Sequence, residues 1–361
     1  MSKDPYEQLA ETLDKIPNSF TPTEDGSHLG LLKWIFTPEE AILASHMKLR
    51  GETAEEIADR LGIYAEGLEN RFEEMADKGQ IQAWNSSAGR RYALLPFFVG
   101  IHNEQIDRMD GDYAQLMEDY LDSSRFEGLW GNAPALFRVI PIHRTISTDL
   151  EIHPYEMAEQ IIEKSKSWGV RECICKKQQS LLGNPCKHGM SKCIQLHPRK
   201  ENAFDETNST EAITKEEALK ILREAEEAGL VHCSMNTQTD HFYICNCCTC
   251  CCLPFRGLTK WEQPYAFVRS NFQAAVKSEL CPGCGSCLSR CPFDALSIPE
   301  DVVQVNAERC IGCGVCTISC PENALQLVPR DSEEKVTPPV SIADWGVLKA
   351  FSRGIDPSDL T

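Results

Sequence analysis

The sequence predicts an α+β chain of several domains, and three observations predict it. Its 361 residues exceed one ordinary core and suit two or three. All nineteen cysteines lie at or beyond Cys173, so the first 172 residues are a different kind of object from the rest. Apolar residues recur there at helical spacing, whereas from Cys281 onward a cysteine pattern repeats itself after 29 residues. These features divide the chain into residues 1–98, 99–262, 263–330 and a tail of 331–361.

The repeat is the most specific stretch. Cys281, Cys284, Cys287 and Cys291 follow the spacing C-x2-C-x2-C-x3-C and precede Pro292. Cys310, Cys313, Cys316 and Cys320 follow it again and precede Pro321. Gly283, Gly285, Gly312 and Gly314 stand between them, where positive φ lets backbone N–H groups turn toward sulfur. A disulfide framework or two zinc sites are the competing readings. Zinc sites present paired C-x2-C knuckles far apart, not runs of four that end in Cys-Pro.

Over about residues 275–330 the stretch resembles bacterial two-cluster ferredoxins. The resemblance implies two [4Fe-4S] clusters and one-electron transfer. It also implies crossed ligation: Cys281, Cys284 and Cys287 with Cys320 on one cluster, Cys310, Cys313 and Cys316 with Cys291 on the other. Each half is expected to follow its loop with a short helix, Phe293–Leu296 and Glu322–Leu325, and a short apolar strand.

In the first part, Thr37 caps a predicted helix that begins at Pro38, and Thr53 caps a second. A third, over residues 65–79, places Leu68, Phe72 and Met75 on one face and stops at Gly79. Two short strands around Ser86-Ser87-Ala88-Gly89 follow. Three helices and a hairpin in this order resemble a winged helix-turn-helix domain, carried by Ile57, Leu61, Gly62, Leu68, Met75, Gly79 and Ile81. The resemblance implies DNA binding, but Glu66–Lys78, the would-be recognition helix, has five acids against two bases, a net of −3. Phosphate neutralisation dominates DNA affinity, so a docking or structural role is expected instead. Residues 96–150 are aromatic-rich and read as core, with a helix near Asp112–Ser123 and a strand in the RVIPIHRTI segment. His143 and His153 carry no partner motif and read as structural.

Eleven cysteines remain for the centre, expected to be an α/β cysteine-rich domain. After a predicted helix over Pro154–Trp168 come Cys173, Cys175, Cys186 and Cys193. A second helix, capped by Thr214 with Glu217 at the capping-box position, stops at Gly229. Beyond Cys233 lie Cys245, Cys247, Cys248, Cys250, Cys251 and Cys252, among which Cys245, Cys248 and Cys251 again spell C-x2-C-x2-C. Side chains diverge along a strand, so a turn must occur within this string. Metal ligation is expected from Cys173, Cys175, Cys186, Cys193, Cys245, Cys247, Cys248 and Cys251, as at least one further iron–sulfur cluster, with structural zinc the alternative. The order of a CxC motif, a helix ending GLVH, a cysteine string and a ferredoxin repeat resembles anaerobe proteins described as 4Fe-4S binding. Residues 263–279 read as a linking helix. In the tail, Trp345, Leu348 and Phe351 fall on one helical face, expected to pack into a core.

The net charge is −18 with a pI near 5.0, which opposes nucleic-acid or anionic-membrane partners and suits docking on a basic patch. A polar N-terminus gives no secretory signal, and no apolar run reaches membrane-spanning length. A cytoplasmic, low-oxygen setting follows from thiols used as ligands. GxGxxG and P-loop motifs are missing. The expected function is an electron-transfer protein or oxidoreductase subunit working between redox partner proteins, and not a stand-alone enzyme. A redox-sensing transcriptional regulator is the alternative.

Overall fold

The computed structural model describes residues 3–87, 89–142, 146, 152–190, 192–205, 207 and 209–357. The chain forms two compact units: residues 1–134 with 181–183 and 346–361, and residues 135–180 with 184–345.

In the first unit, α1 (Pro5–Lys15) is capped by Asp4, whose carboxylate accepts from the N–H of Tyr6 at 2.9 Å. After α2 (Ser27–Ile35), α3 (Pro38–Ser45) and α4 (Ala54–Leu61) begin at Thr37 and Thr53, each in a reciprocal capping box with Glu40 or Glu56. Leu68, Phe72 and Met75 are the buried face of α5 (Leu68–Asp77). The hairpin β1 (Ile81–Ser86) and β2 (Gly89–Leu94) pairs Ile81 with Leu94 through to Ser86 with Gly89. Beyond it, α6 (His102–Glu104), α7 (Gly111–Ser124) and α8 (Glu127–Trp130) surround an aromatic core of Phe20, Phe97, Tyr120, Phe126 and Trp130.

The second unit is built on a six-stranded sheet of β3 (Phe137–Ile140), β4 (Ser167–Glu172), β5 (Lys192–His197), β6 (Glu211–Ile213), β7 (Val231–Met235) and β8 (Tyr243–Cys247). Their order is β3-β7-β8-β5-β4-β6 and every pair is antiparallel, so the centre is α+β rather than the α/β expected. A short loop joining β7 to β8 permits only antiparallel pairing, because parallel neighbours need a long crossover. Helices α9 (Ala158–Lys164) and α11 (Lys215–Glu227) cover one face. Their Ile161, Ile162, Ile221 and Leu222 pack on Ile194, Leu196 and Ile244. The helix expected over Pro154–Trp168 is confined to a 3-10 turn and α9, because Trp168 belongs to β4. Thr214 and Glu217 form the expected capping box of α11, and Gly229 follows it at φ 78°.

Helix α10 (Ile174–Leu181) follows β4, and α12 (Leu253–Thr259) follows the cysteine string. The linking helix expected over 263–279 does not form. Residues Phe272–Val276 are strand β9, paired antiparallel with β12 (Leu325–Pro329), so the chain entering the repeat is held by the chain leaving it. Between them, β10 (Leu296–Ser297) pairs with β11 (Gln304–Val305). The short helices expected at Phe293–Leu296 and Glu322–Leu325 are also absent. Asp294 and Asn323 sit at φ 49° and 50°, left-handed backbone that breaks a helix; 3-10 turns Leu288–Arg290 and Thr317–Ser319 precede them.

The tail ends in α13 (Ile342–Ser352). Of the face expected to pack, only Trp345 is buried, donating its indole N–H to the Ala135 carbonyl; Leu348 and Phe351 are 50% and 65% exposed. In the first unit the buried residues of this helix are instead Lys349 and Ala350, since the Lys349 ammonium donates to the carbonyls of Leu129 and Asn132. His153 stacks on Tyr155, a structural contact, whereas His143 lies outside the described residues.

A buried polar network that the sequence does not announce ties the second unit together. Arg138 on β3 pairs with Glu156 at 3.3 Å, both almost fully buried. Glu156 accepts from the backbone N–H of Asn271 at 2.8 Å, just before β9, and Asn271 accepts from Val336 N–H at 2.9 Å. Removing one partner of a buried pair strands a charge. Glu156→Ala is therefore expected to cost about 3–5 kcal/mol in denaturant unfolding. Loss of the exposed Lys220–Glu224 pair is expected to cost less than about 1 kcal/mol, and equal losses would show the network to be dispensable.

Candidate metal centres

In the repeat, thiols from both halves come together. One cavity is lined by Cys291 together with Cys310, Cys313 and Cys316, closed by Ala295, Leu296 and Leu327. Cys291 comes from the first half of the repeat and the other three from the second. Burial pushes the Cys313 thiol up to about 12, with Cys310, Cys291 and Cys233 adding to it. Burial likewise raises Cys287, and here the neighbouring thiols are Cys320, Cys281 and Cys284, the other crossed set.

Backbone donors repeat with the sequence. The N–H of Ala295 donates to Cys291 Sγ and that of Ala324 to Cys320 Sγ, both at 3.2 Å. The N–H of Ala274 on β9 donates to Cys310 Sγ at 3.5 Å. Such donors stabilise thiolate ligands and tune cluster potential. Gly283, Gly285, Gly312 and Gly314 all lie at φ between 67° and 80°. At Gly312 a Cβ would also collide with the Phe272 carbonyl and the Ser270 hydroxyl. This donor set of four thiolates per site, with N–H groups aimed at sulfur, fits a cubane at each site.

The two sites differ in access. Cys284 is exposed, with Cys281 and Cys320 half-buried, and the Ser286 hydroxyl 3.4 Å from Cys284 Sγ lowers its thiol pKa. Cys310, Cys313 and Cys316 are buried. The buried site is fixed to the sheet: Ile142 N–H donates to the Cys313 carbonyl at 3.0 Å, and the Arg330 guanidinium spans the carbonyls of Ser270 and Cys310.

The central thiols divide into two groups. In the sheet, Cys233 on β7 lies opposite Cys245 on β8, and Cys193 on β5 precedes Ile194, which pairs with Ile244. Strand alternation puts Ile194 and Ile244 under the helices, so Cys193, Cys245, Cys247 and Cys233 share the other face. Cys173 contacts Cys193 and Cys175. At the far end Cys247 lies 3.2 Å from Cys252. Contact with Cys193, then Cys247, lowers the Cys245 thiol against its burial, while contact with Cys233, then Cys245 and Cys252, raises Cys247.

The second group is Cys186, Cys248, Cys250 and Cys251, whose sulfurs all lie within 4.8 Å of one another. The turn required by the cysteine string occurs at residues 249–251, after β8 ends at Cys247. It separates Cys245 from Cys248 and Cys251, so that C-x2-C-x2-C triple does not converge. Cys250 takes its place, a residue the spacing did not single out. Contact with Cys251 pulls the Cys248 thiol down to about 4 against its burial, assisted by Cys250 and the Lys176 ammonium.

The 4Fe-4S binding domain family matches residues 274–297 and 303–326, the two halves of the repeat. No curated protein and no solved structure matches the chain. The C-terminal region is thus a pair of adjacent 4Fe-4S binding repeats in an iron–sulfur protein. Two variants test the ligand sets. Cys284→Ala should lose the exposed cluster and keep the buried one, halving the repeat's iron. Gly312→Ala should impair the buried site first, and iron analysis with EPR of each variant reads both outcomes. Loss of both clusters from Cys284→Ala would contradict independent sites.

Proposed function

We propose that the chain is an electron-transfer component, working alone or as an oxidoreductase subunit, that carries single electrons between a docked partner and the central domain. The observation that carries this reading is the gradient of thiol burial across the repeat, from exposed Cys284 to buried Cys313, which lies within electrostatic reach of Cys233 in the central thiol run. A [4Fe-4S] cluster in each half of the repeat supplies reversible one-electron chemistry. The protein's part is to hold sulfur with backbone N–H donors, to keep water from the buried site, and to leave the other within reach of a partner. Exposed Leu280 follows Glu279 just before the first cysteine, and Glu322 lies within electrostatic reach of exposed Cys284, an acidic setting suited to a partner with a basic rim. The run from Cys173 and Cys175 through Cys193, Cys245 and Cys247 supplies soft ligands for at least one further cluster.

On this reading the winged-helix-like part of the first unit docks protein rather than DNA. Three of its basic side chains are already engaged. Arg90 is bidentate to Glu73 at 2.7 and 2.8 Å, Arg91 pairs with Glu56 at 3.0 Å, and Lys78 pairs with Glu40 at 2.7 Å. A DNA reader needs such cations free for phosphate. The full-length protein, oxidised or reduced, should therefore not shift duplex DNA at low ionic strength, while dithionite-reduced protein should reduce a one-electron acceptor stoichiometrically with its clusters. Tight, salt-sensitive DNA binding would instead favour the redox-sensing regulator.

A further inference from the structure

Sulfur spacing separates two kinds of metal site. Cys248 and Cys250 are 3.3 Å apart, Cys186 and Cys248 3.6 Å, Cys250 and Cys251 3.6 Å, and Cys186 and Cys250 4.0 Å. A tetrahedral ion with metal–sulfur bonds of about 2.3 Å sets its ligand sulfurs about 3.8 Å apart. The observed distances bracket that value. A cubane keeps its four thiolates farther apart, because each binds a different iron and the core lies between them. Among the described residues, no other set of three or more cysteine, histidine or carboxylate side chains converges in this way on one ion.

We propose that Cys186, Cys248, Cys250 and Cys251 hold a single zinc ion in tetrahedral, all-thiolate coordination, separate from the cluster ligands. Four protein ligands leave no open position, as in structural rather than catalytic zinc sites. Three ligands come from one tight turn, closed by the Cys252 N–H donating to the Cys248 carbonyl at 3.1 Å. The fourth, Cys186, arrives from a loop 62 residues earlier in the sequence. Other contacts also hold that loop: His188 contacts the Ala228 carbonyl at 2.8 Å, the Lys176 ammonium donates to the Met190 carbonyl, and Met190 packs with Ala225 and Leu230 against Cys248 and Cys251. The ion would staple the loop to the end of β8, beside the thiol run, and the neighbouring Lys176 ammonium would offset the negative charge of the four-thiolate complex.

The test is metal analysis and zinc-edge X-ray absorption on the full-length protein, purified without oxygen from medium containing both iron and zinc. One zinc per chain is expected, with a single shell of four sulfurs at about 2.3 Å. Cys186→Ala should reduce zinc to background and leave iron and labile sulfide unchanged. If that variant does not fold, the zinc content and sulfur shell of the unaltered protein decide the matter. Absence of zinc, a shell containing nitrogen or oxygen, one iron without sulfide, or loss of about four irons with their sulfide from Cys186→Ala would each overturn the assignment. Iron and sulfide counts report on the repeat's clusters separately, so failure here leaves the electron-transfer reading standing.

Discussion

Cys291 shares a cavity with three cysteines of the second half, Cys320 lies with those of the first, and much of the second unit is arranged around this crossing. Neither half is complete alone, so the two must fold onto one another. Strands β9 and β12 provide the closure, pairing from Leu325–Val276 to Pro329–Phe272. Left-handed Asp294 and Asn323 turn the chain directly after the crossing cysteines, which brings the N–H groups of Ala295 and Ala324 onto their sulfurs. A helix at those positions would carry the same N–H groups away.

The module is also anchored to the sheet. Arg138 and Glu156 sit where β3, the turn before α9 and the start of β9 meet, and their pairing is made by that arrangement. Such a pair adds little net stability over an apolar substitute, but it penalises alternatives that separate the three segments. With Arg330 and the Ile142–Cys313 hydrogen bond, it sets the buried site at the edge of the sheet, one face of which carries the thiol run. The helix-covered face is aliphatic, and the same strand alternation that buries Ile194 and Ile244 gathers Cys193, Cys233, Cys245 and Cys247 opposite.

Local signals were legible in the sequence where their physics is local. Thr37, Thr53 and Thr214 announce their helices because a capping box needs only residues three apart, and the glycines of the repeat take the positive φ their spacing implies. Elements decided by distant partners were not legible. Residues 272–276 became a strand because β12 lies alongside, a partner some fifty residues away. Cys250 entered the four-thiol group and Cys245 left it because β8 continues through Cys247 before turning, which ligand spacing alone does not show. Arg138 and Glu156, 18 residues apart, match no motif. Leu348 and Phe351 share a helical face with Trp345, yet they stay exposed while Lys349 is buried, because two carbonyls await its ammonium.

The central claim is that the two halves of the repeat form two neighbouring one-electron sites. Cys287 of one set lies within electrostatic reach of Cys316 of the other, so two reduced clusters held there should interact magnetically. EPR of the anaerobically purified, fully reduced protein tests this most directly, alongside iron and sulfide analysis. A broadened, spin-coupled spectrum, with about eight irons and eight sulfides or more per chain, is the predicted result. An uncoupled signal from a single cluster, or a colourless protein holding zinc at the repeat, would contradict it.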